Sequence, residues 1–126
     1  MKRTISTDDA PAAVGAYSQA TTTGDLLFTA GQLPLTPEGE LLDDESVAVQ
    51  TEQCLANVEA ILESEGLGLS DVLKVTIYLD DVDDFDEMNE TYGAHFEDEP
   101  PARSAVEVGN VPKGAALEIE VVADAA

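Results

Sequence analysis

The chain has 126 residues, of which 44% are hydrophobic, and its 5 basic and 27 acidic side chains give a formal charge of −22. This length and composition predict a single globular domain over residues 1–126 and exclude a charged, disordered tail. No apolar run reaches the roughly 20 residues of a membrane span, and the N-terminus lacks the apolar segment of a signal peptide, so we expect a soluble, cytoplasmic protein without a membrane partner.

The first half of the chain predicts three short strands followed by a helix. The strands are expected at residues 3–6, 17–22 and 26–30. Gly24 marks a hairpin turn before the third strand, and residues 31–39, rich in Gly and Pro, are expected to be irregular. Ser46 can cap the helix and Gly66 can end it. Apolar side chains recur between them at helical spacing, at Val47, Cys54, Leu55, Val58, Ile61 and Leu62.

The second half predicts a strand, a helix and two further strands. Residues 72–79 alternate in hydrophobicity and are rich in β-branched side chains, which is typical of a strand. Asp83 or Asp84 is expected to cap the helix, and Pro100-Pro101 to stop it. Its helically spaced residues are Phe85, Met88, Asn89, Tyr92, His95 and Phe96. The last strands are expected at residues 103–108 and 117–122.

The predicted order β-β-β-α-β-α-β-β is typical of an α+β domain with two helices on one face of a sheet. Two helices cover only one face, and the apolar side chains on the other face favour a protein partner. We therefore expect an oligomer, in which the clefts between subunits are natural binding sites.

The residue inventory disfavours several kinds of site. One His and one Cys cannot form a Cys/His zinc set, and residues 80–87 lack the Gly of a calcium loop, so we expect no metal site. Cys54 is expected in the core, and His95 is expected to be structural because no partner for it is evident. Lys2-Arg3 is the only pair of neighbouring bases, which argues against a nucleic-acid partner.

Arg103 is the leading candidate for ligand binding, since it is one of five bases and begins an apolar strand. A guanidinium that enters a sheet needs an anionic partner, which is either an internal carboxylate or an anionic ligand. Glu118 and Glu120 share one strand face, and Glu118 is nearer the turn from the Arg103 strand. Near Arg103, Glu118 would orient or deprotonate a water while Arg103 clamps a substrate carboxylate. Tyr17 and Asn89 are the other candidates.

Five segments of the chain carry a likeness to a known family. They are Asp9–Gln19, Phe28–Pro34, Asn89–Tyr92, Pro101–Val108 and Lys113–Glu120. In these segments, and along nearly its whole length, the chain resembles the RidA (YjgF) family of reactive-intermediate deaminases. The resemblance implies a chorismate-mutase-like α+β fold with a mixed sheet, assembled as a homotrimer with three intersubunit clefts.

The resemblance also implies an activity and a set of roles. The activity is cofactor-free hydrolysis of enamine/imine acids, such as 2-aminoacrylate and its four-carbon analogue, to 2-oxo acids and ammonia. Arg103 would bind the substrate carboxylate, and Glu118 would position the attacking water and handle protons. The cleft would be completed by the side chains of Tyr17 and Asn89 and by backbone groups near Gly31 and Ala105.

Two positions depart from the pattern of the family. Ala30 stands where deaminase members usually have Ser, and Ala105 stands where they commonly have Cys. A backbone contact survives the change at Ala105, whereas Ala30 removes a hydroxyl from the cleft. The alternative function is therefore a non-catalytic small-acid binding or regulatory trimer that uses the same intersubunit cleft.

The negative charge is spread along the chain and is not gathered in one tail. Such a surface repels itself in dilute salt and destabilises the compact state. At molar salt the Debye length falls to about 3 Å, so most of this repulsion is screened. The charge pattern therefore predicts adaptation to a salt-rich cytoplasm, as in halophiles.

A salt titration tests this prediction. We expect the thermal unfolding midpoint to rise between low and molar KCl, because screening removes repulsion from the folded state. A matched series in sucrose separates screening from a general solute effect. Equal stability at low and at molar KCl would contradict adaptation to salt.

Overall fold

The structure, a computed structural model, describes residues 1–126 and contains six strands and two α-helices. The strands are β1 (Arg3–Ile5), β2 (Ala20–Thr22), β3 (Leu26–Thr29), β4 (Val72–Leu79), β5 (Ala102–Glu107) and β6 (Leu117–Asp124). The helices are α1 (Val47–Glu63) and α2 (Phe85–Gly93). This order confirms the predicted α+β sequence of elements.

All six strands belong to one mixed sheet in the order β1-β2-β3-β6-β4-β5. Pairing is antiparallel except between β4 and β5, which run parallel and are connected through α2. The last strand thus lies between β3 and β4, and β5 forms one edge of the sheet. This position of β6 decides where the candidate residues lie relative to each other.

Both helices lie on one face of the sheet and form the core with it. Val75, Ile77 and Leu79 of β4 are almost fully buried on this face, and they join the apolar stripe of α1 in one cluster. Cys54 is fully buried in the same cluster, as the sequence predicts. Since β-strand side chains alternate between faces, the neighbours of these residues point to the other side.

The uncovered face carries the alternate side chains of the same strands. Lys74, Thr76 and Tyr78 of β4 lie there, as do Glu118 and Glu120 of β6. Phe28 and Val106, also on this face, are 43% and 46% exposed. These two side chains lie on strands separated by β6 and β4, at opposite sides of the uncovered face.

The start of β2 was predicted wrongly, whereas the predicted helix caps are confirmed in position. Tyr17 precedes its expected strand, which begins at Ala20. Ser46 caps α1, accepting a hydrogen bond from the N–H of Val49. Regular α1 runs to Glu63, and Gly66, with a φ of 74°, closes its C-terminus as predicted through hydrogen bonds from the Gly66 N–H to the Glu63 carbonyl and from the Leu67 N–H to the Leu62 carbonyl.

Asp84 occupies the N-cap position of α2 as predicted, but its carboxylate makes no capping hydrogen bond. The carboxylate of Asp81 accepts one from the N–H of Asp83, in the turn that leads into α2.

The end of α2 was also predicted wrongly. The helix finishes at Gly93, well before Pro100-Pro101, so His95 and Phe96 follow it in a turn. No helix in the structure is long and apolar enough to cross a membrane.

Candidate functional site

Arg103 faces the helices from the edge strand β5. Its Nη1 donates a hydrogen bond of 2.7 Å to Oδ1 of Asn89 on α2. Its Cζ lies over the rings of Tyr92, 4.8 Å from the centroid, and Phe85, 5.5 Å from the centroid. No carboxylate oxygen lies within 4.0 Å of the guanidinium, although the chain has 27 acidic side chains. Arg103 therefore keeps N–H groups free for an anion.

A cavity of about 410 Å³ lies beside Arg103. It is lined by Asn89, Tyr92, Gly93, Phe96, Pro100, Pro101 and Arg103. Ala105, two residues further along β5, pairs with Ile77 and is half-buried on the same face as Arg103. Because β5 is an edge strand, part of its backbone has no strand partner on the outer side. The cavity thus combines one cation, one amide and a sheet edge.

Glu118 lies on the opposite, uncovered face of the sheet. Partial burial raises the pKa of its carboxyl group, and the negative charge of Glu120 raises that pKa further. The Tyr78 hydroxyl donates a 2.7 Å hydrogen bond to Oε1 of Glu120, and this bond is the main reason why the pKa of Tyr78 is raised. These groups and Gly31 contribute to a cavity of about 350 Å³. Glu118 is therefore suited to hold or transfer a proton.

Gly31 is packed directly against the Glu118 side chain. Reciprocal backbone hydrogen bonds between Gln32 and Ile119, of 2.7 and 3.0 Å, bring the Gly31 segment alongside β6. A Cβ at residue 31 would lie only 2.6 Å from Cδ of Glu118 and would overlap its Oε2 atom. The absence of a side chain at Gly31 is thus a condition for the present position of Glu118.

Tyr17 belongs to the loop before β2 and is 55% exposed. Its hydroxyl accepts a 3.4 Å hydrogen bond from the N–H of Val14. The neighbouring Gln19 is buried and holds the loop through hydrogen bonds with the Thr7 N–H and with the Thr7, Ala10 and Pro11 carbonyls. Tyr17 and Gly31 both line a small cavity of about 40 Å³. Tyr17 therefore lies near the Gly31 and Glu118 side of the sheet.

The candidate residues thus form two groups within one chain. Arg103, Asn89 and Ala105 lie with the helices, whereas Glu118 and Gly31 lie at the uncovered face. The expectation that Glu118 lies near Arg103 is wrong within a single chain, because β4 separates their strands and the side chains point to opposite faces.

Sequence reasoning missed several neighbours of the candidates. The helical pattern indicates Phe85 and Tyr92 only as members of an apolar stripe, although their spacing with Asn89 (i, i+4, i+7) places all three on one helix face. Tyr78 is brought to Glu118 and Glu120 by strand register alone, for which the sequence gives no local signal.

His95 has a partner that the sequence did not suggest. Its Nε2 atom lies 3.0 Å from both carboxylate oxygens of Glu52, so it joins α1 to the turn after α2. No group of three or more His, Cys, Asp or Glu side chains is arranged to hold a metal ion.

The contact at Gly31 leads to a mutational prediction. In Gly31→Ala the Cβ must displace the Glu118 carboxylate, which is the flexible end of its side chain. We expect little loss of thermal stability, but a fall of the Glu118 pKa toward its ordinary value as the carboxylate moves into solvent. NMR titration of the Glu118 carboxyl group measures this. Gly109→Ala, where a Cβ meets no atom within 4 Å, is the control and should leave that pKa unchanged.

The raised pKa of Glu118 leads to a prediction about stability. A carboxyl whose pKa is higher in the folded state than in the unfolded state makes the fold less stable as pH rises through that pKa. Glu118→Gln removes this charge, so the variant should unfold at a higher temperature than the wild type at pH 7. The gain should vanish below about pH 4, where an ordinary Glu is protonated in both states.

The control for this experiment is Glu38→Gln, which removes one exposed charge. Its effect on the unfolding midpoint gives the contribution of net charge alone. A gain in Glu118→Gln that is no larger than the gain in this control would contradict the role assigned to burial.

Comparison with known proteins identifies the family. The sequence profile of the family described as endoribonuclease L-PSP matches residues 7–125. A RutC family protein of Pyrococcus horikoshii is 48% identical, with 98% of each chain covered. The 2-iminobutanoate/2-iminopropanoate deaminase of Escherichia coli is 44% identical, again with 98% of each chain covered.

A solved structure shows the same fold. The crystal structure of a putative endoribonuclease from Thermotoga maritima superposes with a TM-score of 0.94 at 45% identity, over 98% of each chain. The profile match and these relatives extend over almost the whole chain. The chain therefore belongs to the endoribonuclease L-PSP family, that is, the RidA/YjgF family.

Proposed function

We propose that this protein hydrolyses reactive enamine/imine acids, such as 2-aminoacrylate and 2-iminobutanoate, to 2-oxo acids and ammonia. One observation carries the proposal: Arg103 has no carboxylate partner in a chain of 27 acidic residues, and a cavity lies beside it. Leaving a guanidinium unpaired among so many carboxylates is consistent with an anionic ligand as its partner. The deaminase relative at 44% identity supports the choice of reaction.

Each candidate residue has a role in the proposed reaction. The free N–H groups of Arg103 bind the substrate carboxylate, and Asn89 lines the same cavity. Glu118 takes a proton from a water molecule as the water oxygen attacks the imine carbon. That proton passes to the nitrogen and gives a carbinolamine. A second transfer, from the carbinolamine hydroxyl through Glu118 to the nitrogen, breaks the C–N bond, releases ammonia and leaves the carbon with a 2-oxo group. Tyr17 and the backbone at Gly31 and Ala105 line the cleft; water is the only co-reactant.

We further propose that a neighbouring copy completes the site in a homotrimer. Within one chain Arg103 and Glu118 lie on opposite faces of the sheet, too far apart in the fold to hold one small substrate. The uncovered face also exposes Phe28 and Val106, which a second copy would bury. In the proposed assembly, Glu118 of one chain meets the Arg103 side of the next.

Two other functions have some support. Non-catalytic binding of small acids in the same cleft is favoured by Ala30, which supplies no hydroxyl. The family description as an endoribonuclease suggests RNA as a substrate, but the formal charge of −22 opposes the approach of a polyanion. The imine deaminase therefore remains the function that we propose.

The test couples the protein to a threonine dehydratase reaction and follows the release of ammonia. Wild-type protein should accelerate release. Arg103→Ala should lower kcat/KM by at least about 10²-fold, since it removes hydrogen bonds to a charged group. Glu118→Gln should lower kcat by about 10²- to 10⁴-fold, because proton transfer is lost. Wild-type protein that binds 2-oxobutanoate without accelerating release would favour the binding function.

Refolding the two variants together tests the proposed assembly. If each site combines Arg103 of one chain with Glu118 of the next, about a quarter of the sites in random trimers contain both intact residues. The mixture should then recover about a quarter of wild-type activity. A site built within one chain would recover none, and that result would overturn the shared site without affecting the proposed reaction.

A further inference from the structure

Helix α2 presents two aromatic rings and one amide to Arg103. Phe85, Asn89 and Tyr92 follow each other at i, i+4 and i+7, so they share one face of the helix. Cζ of Arg103 lies over both rings, while Nη1 donates to Asn89. The hydrogen bond and both cation–π contacts of the guanidinium group therefore come from one helix face.

Tyr92 serves this arrangement through its ring and not through its hydroxyl. The residue is only 5% exposed, and its hydroxyl is buried without any hydrogen-bond partner. A buried hydroxyl without a partner destabilises a fold, so the hydroxyl cannot explain what the residue contributes here. The ring also packs against Phe96, with 4.6 Å between centroids, which fixes its orientation under Arg103.

An aromatic ring attracts a cation through its negatively polarised face and leaves the N–H groups of the cation available for other partners. A carboxylate partner would accept hydrogen bonds from the N–H groups of the guanidinium and leave fewer of them for a ligand. Holding Arg103 by rings and one amide oxygen keeps the side chain in place without consuming the donors that a substrate carboxylate needs.

We propose that Phe85 and Tyr92 are positioning residues, whose ring faces hold the Arg103 guanidinium ready for the carboxylate of the substrate. This inference rests on the proposed function and deepens it. A preorganised guanidinium binds an anion more tightly, because less side-chain freedom is lost on binding. The rings do not touch the reacting imine carbon, so they should affect binding and not the chemical step.

The experiment measures the Kd for 2-oxobutanoate by calorimetry and the KM and kcat for 2-iminobutanoate. Tyr92→Leu and Phe85→Leu should each raise Kd and KM by about 3- to 30-fold, the range expected for one lost cation–π contact, with kcat unchanged. Tyr92→Phe keeps the ring and removes only the unpartnered hydroxyl. It should retain wild-type Kd and KM and be at least as stable to heat.

Val58→Ala separates positioning from a loss of stability. Val58 is fully buried on α1 and has no part in the Arg103 cavity. The Val58→Ala variant should have a lower unfolding temperature than the wild type and the same Kd for 2-oxobutanoate. The side chain of Phe85 is only half-buried, so its replacement should disturb the fold less than replacement of Tyr92. If Phe85→Leu keeps the Kd and KM of the wild type, the positioning role is overturned.

The same data distinguish failure of this inference from failure of the proposed function. Wild-type protein that neither binds 2-oxobutanoate nor hydrolyses 2-iminobutanoate would overturn both. Wild-type binding that is lost in Arg103→Ala but unchanged in both leucine variants would overturn the positioning role alone. A rise of KM in Tyr92→Phe equal to that in Tyr92→Leu would also overturn it, because the hydroxyl would then be the active part.

Discussion

The two helices cover only one face of the sheet, and this determines the environment of the candidate side chains on its strands. Side chains along β4 and β6 alternate between a dry layer under the helices and a face that no element of the same chain covers. Arg103 therefore meets the rings of α2, whereas Glu118 meets Gly31 and Glu120. Arg103 and Glu118 are thus kept from forming an ion pair within one chain.

The separation also sets the state of each group within its own chain. An ion pair between Arg103 and Glu118 of the same chain would occupy the guanidinium and lower the pKa of the carboxyl. In the present arrangement burial and Glu120 raise the pKa of Glu118, and Arg103 keeps free N–H groups. The absence of a carboxylate next to Arg103 contrasts with the composition of the chain, in which 27 acidic side chains are available to 5 basic ones.

Much of the fold could be predicted from the sequence, because local patterns determine its elements. The alternation of Val75, Ile77 and Leu79 predicted β4 correctly, and Ser46 caps α1 as expected. The end of α2 was predicted too late, because Gly93 belongs to the helix and no proline follows until Pro100. The capping hydrogen bond of Asp81 was not predicted, because several neighbouring acids could serve equally well in the sequence.

The candidate site was predicted only in part, since its geometry depends on strand order. The sequence selected Arg103, Asn89 and Glu118, and the structure brings the first two into contact. It could not show that β6 is inserted between β3 and β4, which moves Glu118 away from Arg103. Likewise, the contact of Gly31 with Glu118 follows from pairing between segments more than 80 residues apart in the chain.

The central position of β6 has a consequence for folding. The strands β1, β2 and β3 form one paired unit, β4 and β5 form another, and only β6 pairs with both. Until β6 is in place, β3 and β4 each present a row of unpaired backbone N–H and C=O groups. Docking of this one strand therefore removes two open sheet edges at once and joins the units into a single sheet.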